Sequence, residues 1–153
     1  MPTVLIADDD ADHLELMSLA LERAGHTVIR ALDAPSAMSV LRGGGIDAAL
    51  LDVRMPGESG IELCERLRRE PATAFLPIMV VSADVNDQRI LHAINAGADD
   101  YMPKPFQREE LCARLDGLLR HRPGVSRPPA AVAAAARQSA RKSWSETRQQ
   151  AVN

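Results

Sequence analysis

The chain has 153 residues, 46% apolar but only 3% aromatic, with 18 Lys and Arg against 21 Asp and Glu for a net charge of −3. That length suits one domain of ordinary size, able to bury a core of Leu, Ile, Val, Ala and Met without disulfide or metal staples. No stretch approaches the roughly 20 apolar residues that span a bilayer, and Met1-Pro2-Thr3-Val4-Leu5-Ile6 lacks the basic start and long apolar run of a signal peptide.

Short β-rich apolar runs recur at Thr3–Ala7, Thr27–Ala31, Ala48–Leu51 and Ile78–Val81, and more weakly at Tyr101–Met102, each followed by helical spacing. The first helix places Leu14, Met17, Leu21 and Ala24 on one face and stops at Gly25, a residue that tolerates a left-handed backbone. Asp33-Ala34-Pro35 opens a second helix that the Gly43-Gly44-Gly45 run ends. The third carries Ile61, Cys64 and Leu67 inward and is expected to pair Glu62 with Arg66 and Glu65 with Arg69 on its wet side. A fourth helix spans about Asn86 to Asn95 and ends at Gly97, and a fifth runs from about Gln107 to Arg120. The second, third and fourth strands read as nearly continuous apolar runs, as in a parallel sheet covered by helices on both faces. The expected fold is therefore an α/β doubly wound sandwich. Cys64 and Cys112 sit inside these helices, away from any CxxC or His-rich cluster, which argues against a disulfide or zinc site and for a cytoplasmic protein with free thiols.

Sites in such sheets form outside the carboxyl ends of the strands. Here those ends deliver Asp8-Asp9 after the first strand, Asp52 after the third and Ser82 after the fourth, with Lys104 beyond the fifth. Three converging carboxylates repel one another unless a cation joins them. An all-oxygen set favours Mg2+, or Mn2+, over zinc.

These residues lie in Val4-Leu5-Ile6-Ala7-Asp8-Asp9-Asp10, in Leu50-Leu51-Asp52-Val53-Arg54-Met55-Pro56-Gly57-Glu58-Ser59-Gly60, in Val80-Val81-Ser82-Ala83, and in Gly97-Ala98-Asp99-Asp100-Tyr101-Met102-Pro103-Lys104-Pro105-Phe106. Together they resemble the receiver domain of bacterial two-component response regulators over roughly residues 3–121. The resemblance implies a flavodoxin-like (βα)5 fold with strand order 2-1-3-4-5. It implies that Asp52 accepts a phosphoryl group from a histidine kinase or a histidine phosphotransfer protein. Asp9, Asp52 and the backbone carbonyl of Arg54 would bind Mg2+ directly, and Asp8 through water. Lys104 and Ser82 would meet the phosphoryl oxygens, Tyr101 would follow the Ser82 movement, and the Lys104–Pro105 peptide would be cis. The face of the fourth helix, fifth strand and fifth helix would pass the state to a downstream protein, and a dimer formed on phosphorylation is compatible with it. Read from the residues alone, Tyr101 is equally a half-buried strand aromatic, and Gly57 and Gly60 serve backbone shape. Arg54 and Asp84 fall at positions that tune phosphoryl lifetime in the family. His13, His26, His92 and His121 are scattered and read as surface or packing residues.

Two other readings compete. Asp8-Asp9-Asp10 with Asp99-Asp100 suggests a haloacid-dehalogenase-like phosphatase, in which Asp8 would be the nucleophile and Asp52 would have no role. A pseudo-receiver that docks proteins without phosphorylation is the non-catalytic alternative. The domain is expected to span residues 1–121, with 122–153 a Pro/Ala-rich basic tail, disordered or transiently helical. Residues 1–123 hold 13 Lys/Arg and 20 Asp/Glu, whereas 124–153 hold 5 and 1. So short a tail has no core of its own, so the expectation is a stand-alone receiver with no DNA-binding domain and no membrane span.

Overall fold

The computed structural model describes residues 1–120. The expectations for the tail and for His121 lie outside the described residues. Five strands and five helices alternate: β1 (Thr3–Ala7), α1 (Ala11–Arg23), β2 (Thr27–Ala31), α2 (Ala34–Arg42), β3 (Ala48–Asp52), α3 (Gly60–Arg69), β4 (Ile78–Ser82), α4 (Asp87–Asn95), β5 (Asp100–Pro103) and α5 (Arg108–Leu119). All strand pairs are parallel, in the order β2-β1-β3-β4-β5. This is the flavodoxin-like order that the resemblance implied.

Alternation along the strands splits the core into two layers. Val4 and Ile6 of β1, Ala48 and Leu50 of β3, and Met79 and Val81 of β4 face α1 and α5, packing on Leu14, Leu21, Leu111 and Leu115. Leu5, Ala49, Leu51 and Val80 face the other way, toward α2, α3 and α4. Every residue of β3, β4 and β5 is buried, as a covered parallel sheet requires. β2 departs from that expectation: Thr27 and Arg30 are exposed on this edge strand, whereas β5, the other edge, is buried throughout.

The helix starts are fixed locally. Asp10, Asp33, Ser59 and Asn86 each accept a backbone N–H of the first turn of α1, α2, α3 and α4. At α3, Ser59 and Glu62 form a reciprocal capping box. That explains why the Glu62/Arg66 pair is not the contact observed: Glu62 reaches back to the Ser59 amide and Arg66 turns to Glu58. Arg69 likewise donates to the backbone carbonyl of Glu65 at 3.4 Å. Ala24, expected on the buried face of α1, is its exposed C-terminal cap.

Candidate functional site

The parallel register brings the expected residues together. Ala7 is level with Leu51, Asp52 with Val81, and Ser82 with Pro103. Two hydrogen bonds continue this pairing past the strands: the Asp8 amide donates to Ala31 at 3.1 Å and the Lys104 amide to Ser82 at 2.8 Å. Asp52 and Ser82 are the last residues of β3 and β4, one position further inside the strands than the apolar runs indicate. Asp8, Asp9, Asp52, Ser82 and Lys104 therefore meet at the carboxyl end of the sheet.

Asp8 is fully buried and Asp52 is 8% exposed, while Asp9 reaches solvent. The Lys104 ammonium lies 3.0 Å from Asp8 Oδ2 and 3.6 Å from Asp52 Oδ1. Lys104 thus pairs with two of three carboxylates that each bring an oxygen within 4.8 Å of the others. Burial pushes the Asp52 carboxyl up to about 6, with the charge of Asp8 adding to the rise and Lys104 and the Arg54 backbone N–H opposing it. A cluster this acidic and this poorly neutralised, built of oxygen donors alone, fits a hard divalent cation.

Backbone shape holds the acceptor strand end. A Cβ on Gly60 would stand 2.1 Å from the carbonyl oxygen of Asp52, so α3 can start against β3 only with glycine there. Gly57 has φ +76°, a left-handed turn in the loop between them.

Ser82 is 2% exposed and its hydroxyl accepts the Asp84 amide at 3.1 Å. Tyr101 is fully buried rather than half-buried, and its hydroxyl donates to the Asp84 carbonyl. Burial raises the phenol above its ordinary value. Asp84 is thereby tied to both residues, while its carboxylate accepts the Asn86 amide and pairs with Arg89 at 3.4 Å. Next to Asp9, a cavity of about 470 Å3 is lined by Arg54, Met55, Ser82, Asp84 and Arg89. The Lys104–Pro105 peptide is cis, as the resemblance implied.

Sequence reasoning missed two neighbours of the site. Arg89, in the first turn of α4, lines the cavity, and His13 lies with its Nδ1 3.3 Å from Lys104 Nζ. The available signal for His13 was Asp10: as the cap of α1 it places position 13 in the helix's first turn, close to the end of β1. The phosphatase alternative needs Asp99 and Asp100 near the site, and they are not there. Asp99 binds the Ile78 amide, at the opposite end of β4 from Ser82, and Arg68; Asp100 pairs with Arg114 at 3.1 Å.

Known proteins resemble this chain in sequence and fold. Residues 4–116 match the family described as the response regulator receiver domain. The phosphate regulon transcriptional regulatory protein PhoB of Pseudomonas aeruginosa is 41% identical over 128 residues, which cover 83% of this chain and 56% of that protein. The chain spans about half the length of the curated relatives it matches. Among solved structures, a two-component response regulator from Clostridium difficile is 30% identical with a TM-score of 0.74, covering 79% of this chain and 98% of that one. The chemotaxis response regulator CheY4 of Vibrio cholerae is 27% identical with a TM-score of 0.74, over 77% and 98% of the two chains. A family match across most of the described residues, on a fold of the same strand order, leaves one conclusion: the chain belongs to the response regulator receiver domain family of two-component systems.

Proposed function

We propose that this domain accepts a phosphoryl group on Asp52 and uses it to change its contacts with other proteins. The observation that carries this reading is the meeting of the Asp8, Asp9 and Asp52 carboxylates within 4.8 Å with Lys104 beside Asp52. The donor would be the phosphohistidine of a histidine kinase or of a phosphotransfer protein, or a small acyl phosphate. A carboxylate oxygen of Asp52 forms the new bond to phosphorus as the bond to the donor nitrogen or oxygen breaks. The donor leaves with the bonding electron pair, as imidazole after taking up a proton or as a free carboxylate. Phosphoryl transfer depends mainly on positioning and on compensating charge.

Asp9, Asp52 and the backbone carbonyl of Arg54 are the oxygens that would hold Mg2+ or Mn2+, with buried Asp8 behind them. When bound, the ion supplies positive charge against the phosphoryl oxygens. Lys104 supplies a second positive charge from the β5 side, at 13% side-chain exposure. Ser82 would give up the Asp84 amide and donate its hydroxyl to the phosphoryl group. Tyr101 and the start of α4 are tied to Asp84, so that exchange would be felt across the face of α4, β5 and α5. The readers of that face are a downstream protein or a second copy of this domain. No helix among the described residues is long and apolar enough to cross a membrane, in keeping with partners in the cytoplasm.

Incubation with acetyl phosphate, with and without Mg2+, of wild type and Asp52→Asn tests the proposal by intact mass. The expected result is a Mg2+-dependent, base-labile gain of one phosphoryl group that Asp52→Asn abolishes. No gain, even with a phosphorylated kinase as donor, would shift the assignment to a docking module that is not phosphorylated.

A further inference from the structure

Lys104 has three ammonium N–H donors and no freedom to place them at will, since its side chain is 13% exposed. Two of its neighbours belong to the carboxylate cluster: Asp8 at 3.0 Å and Asp52 at 3.6 Å. The third is the Nδ1 of His13, at 3.3 Å. His13 is the outermost of the three, with a side chain 48% exposed, whereas that of Asp8 is wholly buried. The histidine is itself held: Asp10 caps α1 and its carboxylate accepts the His13 amide at 3.3 Å. The start of α1 thus lays the ring beside the ammonium on its more exposed side, with Nδ1 also 3.9 Å from Asp8 Oδ2 and 3.6 Å from Asp10 Oδ2.

We propose that His13 is a positioning residue for Lys104, its Nδ1 accepting a hydrogen bond that holds the ammonium at the mouth of the site where a phosphoryl group arrives. Without that acceptor, the two carboxylates draw the ammonium inward, and its engagement with an incoming phosphoryl group begins from a tighter ion pair. The contact requires a lone pair on Nδ1, because an ammonium only donates hydrogen bonds. This inference rests on the reading of Asp52 as the phosphoryl acceptor.

The test uses the full chain and compares initial rates of phosphorylation by acetyl phosphate with Mg2+ in wild type, His13→Ala and His13→Asn, each also combined with Lys104→Ala. Asparagine keeps an acceptor oxygen near the place of Nδ1. His13→Ala is expected to slow phosphorylation roughly three- to tenfold, as loss of one charge-assisted positioning contact does, with His13→Asn restoring it to within about twofold. In the Lys104→Ala background the substitution at position 13 should have no further effect. An unchanged rate in His13→Ala, or an equal slowing with and without Lys104, would overturn the proposal, the second outcome marking a merely structural role. Ring 15N NMR reads the contact independently of phosphorylation. A non-protonated Nδ1 resonance that shifts on Lys104→Ala upholds the contact, and an unmoved resonance overturns it. If wild type takes no phosphoryl group at all, the assignment of Asp52 fails while the NMR result still decides the His13 contact.

Discussion

Burial makes the charged form of Asp52 costly, and the consequences are measurable without a partner. Its carboxyl lies at about 6 in the folded chain against an ordinary 3.8, first through burial and then through Asp8. Between those values the folded state binds more protons than the unfolded chain, so stability attached to this group is complete below the lower value and is lost as pH rises through the upper one. In EDTA at neutral pH, Asp52→Asn should therefore be the more stable protein, by on the order of 1–2 kcal/mol in thermal or urea unfolding. The gap should close as the pH falls below about 4. Mg2+ requires the ionised carboxylates, so its affinity by titration calorimetry should weaken as pH drops through about 6 and the dependence should flatten in Asp52→Asn. Gly60 offers a second check. A methyl group there meets the Asp52 carbonyl at 2.1 Å, so Gly60→Ala should cost about 2 kcal/mol or more and reduce phosphorylation through a displaced β3 terminus.

At the scale of elements, the start of α2 was legible because caps are local and Asp33 before Pro35 stands in the sequence as it acts in the fold, whereas the Ser59–Glu62 box of α3 was hidden behind the expected Glu62/Arg66 pair and Asn86, read inside the fourth helix, is its cap. Charge pairing was not legible, since Arg66 and Arg68 on α3 find partners outside their own helix. Arg68 is the clearest case. Its guanidinium donates to the carbonyls of Gly97 at 2.9 Å and Leu76 at 2.6 Å and pairs with Asp99 at 3.0 Å, joining α3 to the loops before β4 and β5. Its stem lies where a Cβ on Gly97 would be, 2.5 Å away, so helix and loop fit only around glycine. Arg68→Ala should destabilise the domain by about 2–4 kcal/mol, and Arg68→Lys should recover little, because one ammonium cannot span a carboxylate and separated carbonyls. Unfolding curves of the two variants decide this, with phosphorylation of the surviving folded fraction expected to remain.

For the molecule as a whole, both layers of the core among the described residues are built from residues 4–119. Deleting residues 124–153 should therefore leave the melting temperature and acetyl phosphate labelling of Asp52 within error of the full chain, and a large loss of stability would show that the tail packs on the domain. The sequence by itself determined the β/α alternation, the start of α2 and the candidate set Asp8, Asp9, Asp52, Ser82 and Lys104, because periodicity, capping and strand-end polarity are short-range properties written into consecutive residues. Tertiary structure alone decided which strands lie at the edges, that Tyr101 is fully buried over Asp84, and that His13 and Arg89 border the site. Those contacts join positions as far apart as 13 and 104, and their partners are chosen by strand register and helix packing, which no local pattern encodes.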